Sequence, residues 1–355
     1  DPHTGMRESL DAQVTNLLNK MGTLSPFKIK NIGGGANNRV YKIETGIDDY
    51  LFKAYYHGPE DKRDRLRTEF GFSDFLWCSG IRKIPRPVVQ DLKNRSALYE
   101  YVEGRKVTPE EVDEKLLSEV ADFFIEINNL KHSPEANKLP KASEACFSLN
   151  EHITMLEKRL EKLSEIDSDS DLHISAKSFI GEELIPYWQN LKEEIIVNIA
   201  IRGLKIGKRL PVEDRCISPS DFGFHNALLT EEGGLKFFDF EYAGWDDPAK
   251  LVCDFFCQPE IPVSISHFEY VASAVSGLFE DEDSHIFQMM LLLPVYQVKW
   301  CAILLNDFLH SGNDRREFAD SEVESETRKE SQLAKAKSYF ESIRLDEKGE
   351  NIAVH

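Results

Sequence analysis

No uninterrupted apolar run of about 18 residues or more interrupts the 355-residue sequence, so no membrane-crossing helix is expected. Cysteine is sparse and unpaired in pattern: six are scattered and none has zinc-finger spacing. Cys253 and Cys257 are four apart and can share a helix face, but no nearby Cys or His pair completes a metal site, so they read as core packing. Reduced thiols are the simplest account of the set. Positive charge is also short, with 43 Lys and Arg against 62 Asp and Glu and a formal net charge of −19. Such a surface repels polyanions, and a nucleic-acid partner is not expected. It tolerates or attracts small cations, although the same charge serves plain solubility. A bound polyphosphate would need a local basic group and a metal ion. The alternating acids Asp167 to Asp171 miss a calcium loop, because the sixth position is Leu172 rather than glycine and the twelfth is Ser178 rather than glutamate. No internal repeat is present. The first five residues, DPHTG, read as an expression scar before Met6, and no charged-then-apolar signal segment follows, so a cytoplasmic location is expected.

What is present suggests two lobes. Residues 8–22 carry Leu10, Val14, Leu17 and Leu18 at helical spacing. Residues 27–56 change period and predict strand, glycine turn, strand, short turn, strand. A helix closed by Gly80 follows, then a proline-punctuated link, then a hairpin turning near Asn94. From Thr108 onward helical patterns dominate. The first opens on a capping box, Thr108 with Glu111. Further helices are expected over 148–166, 176–203 and 264–345, the run MMLLLPVYQVKWCAILLNDF buried nearly all round and the last one packed on the surface. The expected organisation is an N-terminal helix (6–23), a β-rich lobe (24–104), a helical lobe (105–345) with a strand-rich insert near 215–242, and a tail (346–355). The fold class is α+β.

Three segments carry polar groups in unusual settings. Gly33, Gly34 and Gly35 sit between two strands, where they let a backbone approach phosphate oxygens or simply make a turn. Lys53 lies inside the apolar strand YLFKAYY, so it must either reach solvent or find a partner. Glu69, sixteen residues on in the next helix, is one candidate. That lysine–glutamate pair is the arrangement that grips the α- and β-phosphates of ATP in kinases. In SPSDFGFHNALL, Asp221 and Asn226 have the five-residue spacing of a kinase catalytic aspartate and its metal-holding asparagine. LKFFDFE then places Asp239 at a strand end, thirteen residues after Asn226, where a carboxylate can bridge magnesium to phosphates. Singly each is weak. In this order they assemble poorly by chance.

With these residues in place the chain resembles the aminoglycoside phosphotransferase and choline kinase family, relatives of protein kinases, over roughly residues 24–310. GGGANNRVYKI is similar to the nucleotide loop, with Asn38 where a loop asparagine is common. YEYVEG is similar to the segment joining the lobes, which implies that Glu100 and Val102 receive adenine. FFDFEYAGWDDPAKLVCDF is similar to the family's metal-binding aspartate followed by a DP turn, here Asp247 and Pro248, and a further Asp254. YQVKWCAILLNDF is similar to a C-terminal helix of the family. The resemblance implies a protein-kinase-like two-lobe fold and ATP-dependent transfer of the γ-phosphate to a small-molecule hydroxyl. In it Asn226 and Asp239 hold Mg2+, Lys53 and Glu69 hold the nucleotide phosphates, and Asp221 acts as base. The acceptor stays open among an amino sugar, an amino alcohol and a sugar. Asp246 or the acids Glu280 to Asp283 would draw a cationic one, although the latter also read as a solvated loop. One departure stands out. The family commonly has His-Gly-Asp where this chain has Pro219, Ser220 and Asp221. The histidine that usually supports the loop is thus replaced, which keeps a nucleotide-binding pseudokinase as an alternative. His225 reads either as a substitute imidazole or as a surface residue. A protein kinase is the third reading, disfavoured because only seven residues separate Asp239 from Asp247. Oligomeric state is not readable.

Overall fold

The computed structural model describes residues 9–23, 25–33, 38–59, 62–309 and 322–347. The DPHTG segment, Gly34, Gly35 and the last residues of the tail lie outside them.

Alternation of apolar and polar residues builds β1 (Lys28–Asn31), β2 (Asn38–Glu44) and β3 (Asp49–Tyr55), and the hairpin adds β4 (Pro87–Asp91) and β5 (Ser96–Glu100). They form one antiparallel sheet in the order β1-β2-β3-β5-β4. Ile43, Tyr50, Phe52 and Leu98 cover one face and pack against Val14, Leu17 and Leu18 of α1 (Leu10–Lys20). The opposite face holds Tyr55, Ala97 and Tyr99 with Leu66 of α2 (Arg65–Cys78). Strand alternation therefore turns Lys53, next to Phe52, toward the α2 side.

The helical lobe contains α3 (Glu114–Asn128), α4 (Leu149–Ser164), α5 (Asp171–Phe179) and α6 (Ile185–Ile201). The last two are joined by a wide turn at Ile180–Leu184. Two small antiparallel pairs follow, β6 (Cys216–Ser218) with β9 (Gly244–Asp246) and β7 (Ala227–Leu229) with β8 (Leu235–Phe237). Helices α7 (Pro248–Cys257), α8 (Phe268–Ser276), α9 (Glu282–Ile303) and α10 (Glu322–Glu347) complete it. By length and apolar character α9 is able to cross a membrane, yet α4, α7, α8 and α10 all pack on it. Its burial is not all round, since Met290 is 61% exposed. Phenylalanines tie the lobe together beneath the cavity: Phe123 stacks on Phe237 at 4.5 Å, Phe124 meets Phe222 at 4.7 Å, and Phe72 of α2 meets Phe240 at 5.2 Å.

Two sequence expectations need correction. Glu111 does reach back to the Thr108 N–H at 2.9 Å, but the box encloses only a 3-10 turn, Pro109–Glu111. Val112 is extended and breaks the helix, so α3 starts at Glu114, capped by Asp113 accepting from Leu116 N at 2.9 Å. The acids Glu280 to Asp283 are exposed, with Glu280 and Asp281 before the helix, and none of them lines the cavity as an acceptor lure would. Asp281 caps α9 by accepting from Ser284 N, and Glu282 and Asp283 lie in its first turn, where they complement the helix dipole.

A buried cluster fixes the start of α7. Asp247 caps it by accepting from Ala249 N at 2.8 Å, and its other oxygen lies 2.8 Å from His152 Nε2 and accepts from Gln288 Nε2 at 2.6 Å. His152 Nδ1 pairs with the Tyr296 hydroxyl at 2.6 Å. Burial pushes the His152 pKa down, but its bonds to Asp247 and Cys146 outweigh this and raise it from 6.5 to about 10. A pKa raised by folding adds stability that is complete below the unfolded value near 6.5 and fades as pH rises through about 10. His152→Gln should therefore cost about 3–5 kcal/mol at neutral pH. Urea unfolding of both proteins should show that gap narrowing by pH 9.5, and an equal gap at both ends would remove the charged histidine from the account.

Candidate active site

Lys53 meets acids from both lobes. Its Nζ lies 2.7 Å from Glu69 Oε1 and 2.8 Å from Asp239 Oδ1, with only 9% of the side chain exposed. Burial alone would lower the lysine's pKa, but Asp239 and Glu69 hold it well above its usual value. Burial would raise Asp239, and Lys53 reverses that and lowers it. Glu69 does more than pair with the lysine. Its Oε1 also accepts from the Tyr55 hydroxyl at 2.5 Å, which contacts the Tyr99 hydroxyl at 2.7 Å, and its Oε2 accepts from the Phe240 N–H. The glutamate thus fixes the peptide that follows Asp239. The strand-end expectation for Asp239 is off by two residues: β8 stops at Phe237 and Asp239 sits beyond it with a left-handed φ of +73°. Aspartate tolerates that conformation, and the turn aims its carboxylate at Lys53.

The loop between β6 and β7 is held by its own side chains. Ser220 and Asp221 are both left-handed, at φ +51° and +39°. Ser218 Oγ accepts from Ser220 N at 3.0 Å, Asn226 Nδ2 donates to Asp221 O at 2.9 Å, and Lys106 Nζ donates to His225 O at 2.9 Å. These bonds hold the loop although Pro219 stands in place of a histidine. His225 is not a bystander, since its Nε2 lies 3.5 Å from Asp221 Oδ1 and its side chain is 17% exposed. The joining segment is pinned to the same region: a Cβ on Gly104 would meet Leu229 O at 2.9 Å, and Arg105 N donates to that oxygen at 3.0 Å.

One cavity of about 1000 Å³ brings the candidate residues together. Gly33, Asn38, Glu100 and Val102 line it together with Lys53, Glu69, Asp239, Asp221 and Asn226. Asn38 Nδ2 donates to Glu241 Oε2 at 2.9 Å, and its Oδ1 is buried with no partner among the described residues. One oxygen of the Glu100 side chain pairs with Lys236 at 3.3 Å. Asp246 cannot attract an acceptor: it is buried, pairs with Lys250 at 2.7 Å and accepts from Cys146 N and Asp247 N. Among the described residues no cluster of three His, Cys, Asp or Glu side chains is preassembled for a metal. The donor set does fit Mg2+, which favours a few hard oxygens and takes the rest from phosphate and water. Asp239 offers a carboxylate, and Asn226, whose amide nitrogen is spent on the loop, offers its oxygen.

Comparison with known proteins now places the chain. The Phosphotransferase enzyme family (APH) matches residues 28–255. The chain belongs to this family. It is thereby a small-molecule phosphotransferase with the two-lobe fold of that group. Among solved structures it is similar to a choline kinase from Cryptosporidium parvum Iowa II, at 14% identity and a TM-score of 0.53 over 91% of each chain. It is also similar to a choline/ethanolamine kinase family protein from Mesorhizobium loti, at 15% identity and 0.56 over 94% of this chain and 97% of that one. A spectinomycin phosphotransferase solved with ADP and spectinomycin gives 14% identity and 0.56 over 92% and 98%. No curated protein sequence matches.

Several residues of the phosphotransferase cavity escape sequence reasoning. Glu241 is buried, bonded to Asn38 and 3.3 Å from Arg65, and burial followed by the nearby Asp239 pushes its pKa up to about 7. Arg63 donates to the Glu241 and Ala243 carbonyls, tying α2's entry to the turn after Asp239. The spacing of Glu241, two residues after Asp239, is the one local signal that points to it. Lys106, Glu144, Arg159 and Lys299 carry no such signal.

Proposed function

We propose that this phosphotransferase moves the γ-phosphate of ATP, with Mg2+, to a hydroxyl of a small molecule. The bridge from Lys53 to Glu69 and Asp239, in one cavity with Asp221 and Asn226, carries this reading. The spectinomycin phosphotransferase solved with ADP supports it by likeness of fold. Lys53, steadied by Glu69, would hold the nucleotide's phosphates. Asp239 and Asn226 would hold Mg2+, which supplies charge neutralisation on the phosphate oxygens. Asp221 would orient the acceptor and take its hydroxyl proton as the new O–P bond forms and the bond to the β-phosphate oxygen breaks, releasing ADP. Positioning and charge neutralisation do most of the work, because the transferred group asks for little covalent chemistry from the protein. Helix α7 begins at Pro248, directly after β9, which leaves no platform for a peptide between Asp239 and the helix.

Thermal unfolding with and without ATP and Mg2+ tests the first step. Binding to the folded state alone should add about 2.7 kcal/mol at a hundredfold excess over the dissociation constant. The shift should need Mg2+ for its full size. No shift with ATP or with GTP would return Lys53 and its acids to a structural ion cluster.

A further inference from the structure

Left-handed backbone at residues other than glycine gathers around one cavity. Among the described residues it occurs at Arg95, Glu144, Ser220, Asp221 and Asp239, and all but Arg95 line the cavity that holds Lys53. Such conformations cost free energy, and they persist where the side chain is needed. Three of these four cavity residues show what they are for. Asp239 pairs with Lys53, Glu144 accepts from Arg159, and Asp221 stands where the base is proposed. Aspartate also tolerates the left-handed region, because its short polar side chain can bond locally.

Ser220, at φ +51°, shows no such use. Glycine would adopt this turn freely, and glycine is what the His-Gly-Asp pattern carries at this position. The serine hydroxyl does not build the loop. That task belongs to Ser218, whose Oγ accepts from Ser220 N at 3.0 Å. Ser220 Oγ itself bonds to no group among the described residues, and it is not among the buried atoms that lack a partner. The residue is half-buried and lines the cavity, so its hydroxyl is open to that space. Successive Cα atoms are about 3.8 Å apart, and whatever Asp221 touches therefore lies within reach of Ser220. The nucleotide's candidate contacts come from elsewhere: Lys53 from β3, Asn226 from the end of the loop, and Asp239 from beyond β8.

Resting on the phosphotransferase reading, we infer that Ser220 is a specificity residue for the acceptor, its hydroxyl bonding a second polar group beside the hydroxyl that is phosphorylated. A serine hydroxyl both donates and accepts, so the neighbouring group is a hydroxyl or an amine. Asp221 takes the proton of the reacting hydroxyl while Ser220 holds its neighbour. The strained turn is kept for that contact.

The test uses the full chain with ATP and Mg2+ and compares wild type with Ser220→Gly, Ser220→Ala and Ser220→Asn. Acceptors are ethanolamine, glucosamine and myo-inositol, each beside the analogue that lacks the neighbouring hydroxyl or amine. Ser220→Gly should unfold at the wild-type midpoint or about 1–3 °C above it, because the turn is relieved. It should keep the ATP-induced shift. Its kcat/KM should fall about tenfold for the intact acceptor and by less than about threefold for the analogue. Ser220→Ala, which keeps the strain, should show the same loss, so that activity does not follow stability. Ser220→Asn tolerates the turn and supplies a donor and an acceptor, and it should recover part of the loss. A Ser220→Gly enzyme as active as wild type overturns the inference. Equal losses on the intact acceptor and its analogue do the same, as does a weakened ATP-induced shift, which would place the serine at the nucleotide. Absence of turnover of every acceptor by the wild type, with the ATP-induced shift present, overturns the inference and leaves the phosphotransferase reading standing. Absence of that shift in the wild type as well overturns both.

Discussion

An Asp221→Asn enzyme is expected to bind ATP as the wild type does and to turn over about 10²- to 10⁴-fold more slowly. The substitution is chosen for what it spares. Asparagine is nearly isosteric and tolerates the left-handed conformation that Asp221 adopts at φ +39°. The loop bond from Asn226 Nδ2 runs to the main-chain oxygen of residue 221 and survives. His225 Nε2, 3.5 Å from Oδ1, keeps a polar neighbour. The negative charge and the capacity to take a proton are removed while the shape is kept. A fall in kcat with the ATP-induced unfolding shift intact is the expected pattern, and a kcat within about fivefold of wild type would sink the assignment of Asp221 as base.

The second large effect belongs to Asp239. Asp239→Ala should abolish the Mg2+-dependent part of the nucleotide shift and lower kcat/KM by about 10³-fold, the scale for removing a preorganised charge at the transferring group. Two losses combine in it. The carboxylate that shares Lys53 with Glu69 disappears, and a residue at φ +73° becomes alanine, which disfavours that conformation. Asp239→Asn separates them, because it keeps the turn and removes the charge. If the Asn enzyme matches the Ala enzyme, the charge is decisive. If Asp239→Asn retains both the Mg2+-dependent shift and near-normal turnover, Asp239 does not hold the metal.

Much of the candidate site around Lys53 is legible in the order of residues alone. Lys53 announces itself because an apolar strand has no place for an unpaired ammonium, and the next helix carries an acid in Glu69. The spacing of Asp221, Asn226 and Asp239 restricts what chemistry they can share. Less legible are the second oxygen of Glu69, which fixes the Phe240 N–H across the lobes, and the Tyr55–Tyr99 contact behind it. Nothing in a strand pattern says which tyrosine hydroxyl meets which carboxylate. Nor does the pattern say that Asn38, at the start of β2, bonds Glu241 from the other lobe.

The sequence by itself determined the local elements, the order of the polar residues and the acidic total, because strand and helix periods follow from backbone sterics and short-range side-chain packing. Only the tertiary structure decided where that acidity is cancelled. Asp254 and Lys299 are 45 residues apart, and α7 and α9 must pack together before they can pair. Glu144 meets Arg159 only because its own left-handed backbone turns it back over α4. Net charge adds over a chain regardless of its path, whereas the field inside a cavity depends on which charges lie within a few ångströms of one another. That placement is set by the packing of α4 and α7 on α9.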